Sequence, residues 1–156
     1  MKVFISHKKE DAAQALSITQ AFKLQGIDAY LDLLDDIGEN GKALTEHIKG
    51  QLNSCTDIIV VMSENTKYSW WVPFEIGMSA QIDMPTASFL QSGVVLPNYL
   101  SYWPRLKTIS DISKYVEVRK RIERKMQPIY ENYSISSRRK VETPEFYNQL
   151  KIELQR

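Results

Sequence analysis

The chain has 156 residues, 43% of them hydrophobic and 25% charged, a composition typical of one soluble globular domain. Its formal net charge of +1 gives no electrostatic reason to expect a nucleic-acid or membrane partner. The single cysteine, Cys55, excludes an internal disulfide, which is typical of a protein in a reducing compartment. One cysteine and two histidines are also too few for a structural zinc site to be expected. No segment approaches the roughly 18 apolar residues of a membrane span, and the strand-like start is unlike a signal peptide. We therefore expect a cytoplasmic protein.

The first elements of the chain alternate between strand and helix. Residues 3–5 are typical of a buried strand, and Asp28–Leu31 predicts a second short one. Between them, helical spacing predicts a helix over about 10–25 that Gly26 ends, with Ile27 packing back on its last turn. The core-facing positions of that helix are predicted to be Ala12, Ala15, Leu16, Thr19 and Phe22.

The middle of the chain carries the strongest strand signal. Residues 32–42, with four acidic side chains and two glycines, predict an exposed loop. A stripe of Leu44, Ile48 and Leu52 then predicts a helix that ends near Cys55. Asp57–Met62 is apolar on both faces, which is typical of a central strand in a parallel sheet that helices cover on both sides.

The next segment predicts a polar loop over 63–69 and a third helix over Trp71–Gln81, with Pro73 tolerated in its first turn. Residues 87–90 and 107–109 are weaker strand candidates. This strand–helix alternation predicts an α/β fold with a parallel sheet. Ligands of such sheets bind beyond the carboxyl ends of the strands, so we expect the chemistry in the loops 6–10, 32–42 and 63–71.

From Asp111 onward the pattern becomes helical. One apolar face is surrounded by basic residues, which we interpret as a solvated helix face and not a nucleic-acid site. After a polar break over 134–140, Thr143 and Pro144 are predicted as the N-cap and first residue of a last helix. The predicted core positions of the two helices are Ile112, Tyr115, Ile122, Met126 and Ile129, and then Phe146, Leu150 and Leu154.

Four segments, in this order and spacing, resemble the TIR (Toll/interleukin-1 receptor-like) family. They are residues 4–7, residues 30–32 with the glycine-containing loop behind them, residues 57–63, and the pattern Ser69-x-Trp71-x-x-x-Glu75. The resemblance covers about residues 2–110. It implies one domain over 1–156 with a flavodoxin-like parallel sheet, helices on both faces, and a C-terminal helical extension over 111–156.

Enzymatic members of this family cleave NAD⁺, which is their substrate and not a bound cofactor. The resemblance places their essential glutamate at Glu75. Nicotinamide in NAD⁺ is a cationic leaving group that needs no general acid, so one carboxylate that stabilises oxocarbenium character suffices. The substrate-binding positions that the resemblance implies are Ser6, His7, Lys8, Tyr30, Asp32 and Trp71. A metal site is not expected.

Each site assignment has a structural alternative. Glu75 could instead be a structural carboxylate bonded to a loop, although burial of an unpaired carboxylate favours function. Trp71 is equally a candidate for a core aromatic, and residues 6–8 for a surface turn. Asp32 is either a contact to the adenine ribose or a cap of its loop. Val72 and Pro73 also depart from the small residue or cysteine that typically follows the family's tryptophan.

Three functions stay open at this point. A free-standing TIR domain resembles the sensor-side proteins of Thoeris-type antiphage systems, which make a nucleotide signal from NAD⁺ for a separate effector. A non-enzymatic module that works through TIR–TIR self-association is the second, and a nucleoside deoxyribosyltransferase-like enzyme is the third. A phospho-receiver domain is excluded because Asp57 begins its strand, whereas a phospho-acceptor must project from a strand's carboxyl end.

Overall fold

The computed structural model describes residues 1–31, 41–129 and 133–155. In these ranges the chain forms one parallel sheet of five strands in the order β2-β1-β3-β4-β5, flanked by five α-helices, which confirms the predicted fold class. The strands are β1 Lys2–Ser6, β2 Asp28–Leu31, β3 Asp57–Met62, β4 Thr86–Leu90 and β5 Arg105–Leu106. The helices are α1 Ala12–Leu24, α2 Gly41–Ser54, α3 Trp71–Gln81, α4 Asp111–Met126 and α5 Ile135–Leu154.

Two apolar layers cover the sheet. One joins α1, α4 and α5 to the strands, and the other joins α2 and α3 to the opposite face. Every residue of β3 is buried, as its apolar run predicts, because β1 and β4 pair with its edges while helices cover both faces. None of the helices that the structure describes combines the length and apolar character that a membrane crossing requires.

The first helix ends as predicted, but its buried face differs. Gly26 adopts a φ of 71°, its N–H donates to Lys23 O, and that of Ile27 donates to Phe22 O, which is a Schellman motif. The prediction that Ala12 and Leu16 face the core is wrong, since Leu16 is 49% exposed. Ile18 and Ala21 are buried instead, so the helix packs on the sheet with a face that is rotated from the predicted one.

Two predicted elements differ from the structure where the structure describes them. The strand predicted at 107–109 is wrong: β5 is the two-residue Arg105–Leu106, and residues 107 and 108 instead donate backbone N–H groups to the Asp111 carboxylate. The loop predicted over 32–42 lies outside the described residues as far as 40, and its last two residues belong to α2. The side chain of Ile129 also lies outside them.

The last helix begins nine residues before its predicted start. Ser134 is its N-cap and accepts a hydrogen bond from the Ser137 N–H, so Thr143 and Pro144 lie inside α5. Proline inside a helix costs about 3 kcal/mol. That cost is offset where Phe146 and Leu150 bury their side chains on the sheet layer, each worth roughly 1.5–3 kcal/mol. The hydroxyl of Thr143 donates to Asp83 O at 2.7 Å instead of capping a helix.

The amino-terminal edge of the sheet is closed by a buried ion pair. Asp57 Oδ1 accepts from Arg119 Nε at 2.6 Å and from the Tyr115 hydroxyl at 2.8 Å. Burial, reinforced by the Asp57 charge, raises the pKa of Tyr115 well above its ordinary value, so Tyr115 stays a donor. Asp57 begins its strand as predicted, and its charge is balanced within the fold.

Candidate functional site

The site begins at the start of α3, which the loop after β3 anchors. The Ser69 hydroxyl accepts hydrogen bonds from the backbone N–H groups of Trp71 and Val72, at 3.2 and 3.1 Å. These are first-turn donors that have no partner within a helix. Pro73 also lies in this turn, where a missing N–H costs nothing. Trp71 and Glu75 follow on one face of the helix, one turn apart.

Glu75 is a buried carboxylate at the carboxyl end of β1. It is 1% exposed, and its Oε2 accepts a hydrogen bond from the hydroxyl of Ser6, the last residue of that strand. Ser6 is itself fully buried and pairs in register with Val60 of β3. Since burying a carboxylate is costly unless hydrogen bonds hold it, its place at the edge where parallel sheets bind ligands is informative. The structure thus joins two of the predicted site residues, 69 positions apart in sequence.

Trp71 lies beside this pair and carries a buried donor. Its half-buried indole packs at 5.1 Å and 41° against Phe74 and contacts the apolar layer that contains Phe4. Among the residues that the structure describes, no acceptor lies within hydrogen-bond distance of its buried Nε1. An indole nitrogen can only donate. Trp71 therefore packs its ring into the apolar layer and keeps one N–H group available to donate a hydrogen bond.

The remaining predicted site residues make contacts of their own. Lys8 forms an ion pair with Glu10 at 3.3 Å, and His7 Nδ1 lies 3.4 Å from the carbonyl oxygen of Ile5. The Tyr30 hydroxyl lies 3.2 Å from Nε2 of His47 on α2. Asp32 lies outside the described residues.

A second buried carboxylate near this edge was not predicted from sequence. Asp11, in the 3₁₀ turn after β1, accepts from the Ser63 hydroxyl at 2.5 Å and from the Asn65 side-chain amide at 3.0 Å. Thr66 joins the network through its backbone N–H, which donates to the Ser63 hydroxyl at 3.2 Å, and its own hydroxyl donates to Val61 O at 2.9 Å. Before an apolar helical run, Asp11 has the sequence signal of an N-cap, yet it makes no capping bond. Instead, its carboxylate connects the segment after β1 to the loop after β3.

A cavity of about 230 Å³ lies on the other side of the start of α3. Val72 and Ile76 form its helix wall, and Val95 and Tyr99 of the segment after β4 lie opposite. Glu75 is not among its described lining residues, because its side chain faces Ser6. Within the described ranges, no three His, Cys, Asp or Glu side chains are placed to share a metal ion.

Comparison with curated proteins finds one relevant relative. The chain is 27% identical over 79 residues to the "Probable 3' cyclic ADP-D-ribose synthase ThsB'" of Bacillus cereus (strain MSX-D12). The match spans 48% of this chain and 41% of that protein. Less than half of that relative's length is therefore matched.

Superposition on a solved TIR domain supports the fold. The TIR domain of the Toll-related receptor TRR-2 from Hydra magnipapillata superposes with a TM-score of 0.51 at 18% identity, over 66% of this chain and 82% of that one. The TIR domains of the activated Roq1 resistosome give a TM-score of 0.47 at 17% identity, over 97% of this chain and 81% of that one. The TIR-domain family model matches residues 3–127, which includes α4 and goes beyond the predicted extent of 2–110. The chain belongs to the TIR-domain family.

Proposed function

We propose that this TIR domain cleaves the nicotinamide–ribose bond of NAD⁺, with Glu75 as the essential carboxylate. The observation that carries the proposal is the buried Glu75 carboxylate, which Ser6 holds at the carboxyl edge of the parallel sheet. The relative described as a probable cyclic ADP-ribose synthase supports this substrate class. The substrate-binding positions remain those predicted from sequence, Ser6, His7, Lys8, Tyr30, Asp32 and Trp71, with Ser6 acting through Glu75.

The proposed reaction requires one negative charge from the protein, placed beside the ribose. The bond between ribose C1′ and the nicotinamide nitrogen breaks, its electron pair leaves with the neutral base, and positive charge develops on the ribose. The Glu75 carboxylate stabilises this oxocarbenium character. Attack by water at C1′, with loss of a proton, gives ADP-ribose, and attack by an atom of the same ADP-ribose gives a cyclic product.

The test is nicotinamide release. Purified protein is incubated with NAD⁺, and nicotinamide is measured by chromatography for the wild type, Glu75→Gln and the matched control Glu117→Gln, which changes an exposed glutamate of α4. Glutamine keeps the shape and accepts the Ser6 hydrogen bond but removes the charge. We expect Glu75→Gln to lose ~10²-fold or more, at least about 2.7 kcal/mol of transition-state stabilisation, and Glu117→Gln to lose little. A folded Glu75→Gln protein with wild-type turnover contradicts the proposal.

Self-association is the second part of the proposal. Trp70, beside the start of α3, is 95% exposed, and Tyr68 is 78% exposed. Exposed aromatic side chains of this kind are typical of protein–protein contacts. If TIR–TIR contacts complete the site, nicotinamide released per molecule rises with protein concentration or with a crowding agent. Turnover strictly proportional to concentration, across a range where assembly is shown to occur, argues against this.

The biological setting follows from the same resemblance. We propose that the product is a nucleotide signal for a separate effector in cytoplasmic antiphage defence of the Thoeris type. Mass spectrometry of the products decides between linear and cyclic ADP-ribose. If no condition yields nicotinamide, the interaction module becomes the better account, and incubation with deoxynucleosides tests the deoxyribosyltransferase alternative.

A further inference from the structure

The indole N–H of Trp71 is a buried donor without an acceptor among the described residues, and such groups require an explanation. Leaving a buried donor unpaired destabilises the folded state. Arg105 and Arg119 also carry a buried nitrogen of this kind, but they lie at the amino-terminal starts of β5 and β3. Trp71 alone of the three lies in the candidate site, one helical turn before Glu75.

The neighbourhood of Trp71 limits what its N–H can bind. The indole nitrogen only donates, so its partner must be an acceptor. A carboxylate on the same helix face, one turn away, repels anionic oxygens such as those of phosphates. An uncharged oxygen is therefore the favoured partner. The packing of the ring against Phe74 fixes the direction of the N–H, so that it selects a ligand oxygen by position.

We infer that Trp71 Nε1–H donates a hydrogen bond to an uncharged oxygen of bound NAD⁺, a hydroxyl of the ribose whose bond breaks. This deepens the proposed function and rests on it. Both Nε1 and Glu75 are covered in this structure, so binding includes a local rearrangement that uncovers them. In the complex the donor gains its acceptor, and the cost of burying it unpaired is recovered as affinity.

The experiment removes the N–H and keeps the ring. We replace Trp71 by 3-benzothienylalanine, in which sulfur takes the place of the indole N–H, within a Glu75→Gln background that prevents turnover. The affinity for NAD⁺ is measured by calorimetry, and the melting temperature is measured without NAD⁺. We expect the Kd to rise about 3- to 10-fold, the loss of one neutral hydrogen bond. The melting temperature should stay the same or rise, since the donor removed has no acceptor in the fold.

A matched control and a second ligand sharpen the outcome. The same replacement at Trp103, which precedes β5 and packs edge-on against Tyr102 away from the candidate site, should leave the Kd unchanged. With thionicotinamide adenine dinucleotide, in which sulfur replaces the carboxamide oxygen, the loss should persist. If the loss disappears, the acceptor is the carboxamide oxygen and the ribose assignment is overturned. An unchanged Kd overturns the inference, and a lower melting temperature with an unchanged Kd assigns the N–H to the fold.

These outcomes separate the inference from the proposed function. If the wild type releases nicotinamide but the Trp71 replacement leaves the Kd unchanged, the inference alone fails. If NAD⁺ binds more weakly to the replaced protein but the wild type never releases nicotinamide, cleavage alone fails. If neither NAD⁺ nor ADP-ribose binds to the Glu75→Gln protein, both fail.

Discussion

Two buried carboxylates, Asp57 and Glu75, lie at opposite edges of the same sheet. Asp57 receives a guanidinium N–H, a phenol hydroxyl and the Thr56 hydroxyl, so its charge is balanced inside the fold. Glu75 receives the neutral hydroxyl of Ser6 and lies beside an indole donor. The Asp57 carboxylate is tied to a cation at the edge where the strands begin, whereas the Glu75 carboxylate lies at the edge where parallel sheets bind ligands. Burial alone therefore does not identify a functional carboxylate, and its place in the sheet is more informative.

The largest effect that we expect comes from removing most of α5, which packs beside the Asp57 edge of the sheet. Deleting residues 141–156 exposes the surface that Phe146, Tyr147 and Leu150 bury, each worth roughly 1.5–3 kcal/mol. That loss is comparable with the whole stability of a domain, so the truncated chain should be largely unfolded by circular dichroism. A truncated chain with an unchanged melting temperature would show that α5 does not stabilise the fold.

Asp57→Asn tests the balanced carboxylate directly. The substitution leaves the Arg119 guanidinium buried without its counter-charge and should cost about 3–5 kcal/mol in urea unfolding at neutral pH. Nicotinamide release per folded molecule should not change. Glu75→Gln is the mirror experiment, because it should leave stability nearly intact while abolishing release. Equal stability losses from the two variants would contradict the distinction that we draw.

Ser6→Ala tests how the proposed catalytic carboxylate is held. Without the hydroxyl, Glu75 loses a donor that orients it, and kcat/KM should fall about 10-fold, or roughly 1.4 kcal/mol. Ser88→Ala, which changes a buried serine on β4, is the control and should leave kcat/KM nearly unchanged. An equal fall in both variants would show a general loss of packing.

The smallest effect concerns Glu142, on α5 beside the Asp57 edge. Burial, partly opposed by Arg119, raises the pKa of this carboxyl above its ordinary value. The raised pKa means that the folded state prefers the protonated form, so this contribution to stability is present at low pH and lost as pH rises through the folded pKa. Glu142→Gln should therefore stabilise the protein at pH 7, by about 0.5 kcal/mol or less. The gain should shrink as pH falls toward 4. A gain that is independent of pH would exclude titration of this group as its cause.

The sequence predicted elements correctly where the local residue pattern agrees with the burial that the fold gives each residue. The bounds of α3 and β3 follow from apolar runs and from the tolerance of Pro73 in a first turn. It failed where packing overrides a local preference, as at Pro144, which Phe146 and Leu150 hold inside a helix. It failed also at β5, because a two-residue strand carries no period. The link from Ser6 to Glu75 joins residues far apart in sequence, and no local pattern encodes it.

The ion pair at the start of β3 also has a consequence for synthesis on the ribosome. Arg119 lies 62 residues after Asp57, so at typical translation rates its guanidinium is made on the order of 3–12 seconds after the carboxylate. A carboxylate without its counter-charge resists burial, so β3 cannot settle into a finished sheet during that interval. The run Ile58–Met62 is apolar, rich in β-branched residues and without proline, a composition that favours aggregation while a strand is exposed. Slower elongation between β3 and α4 would lengthen that exposure.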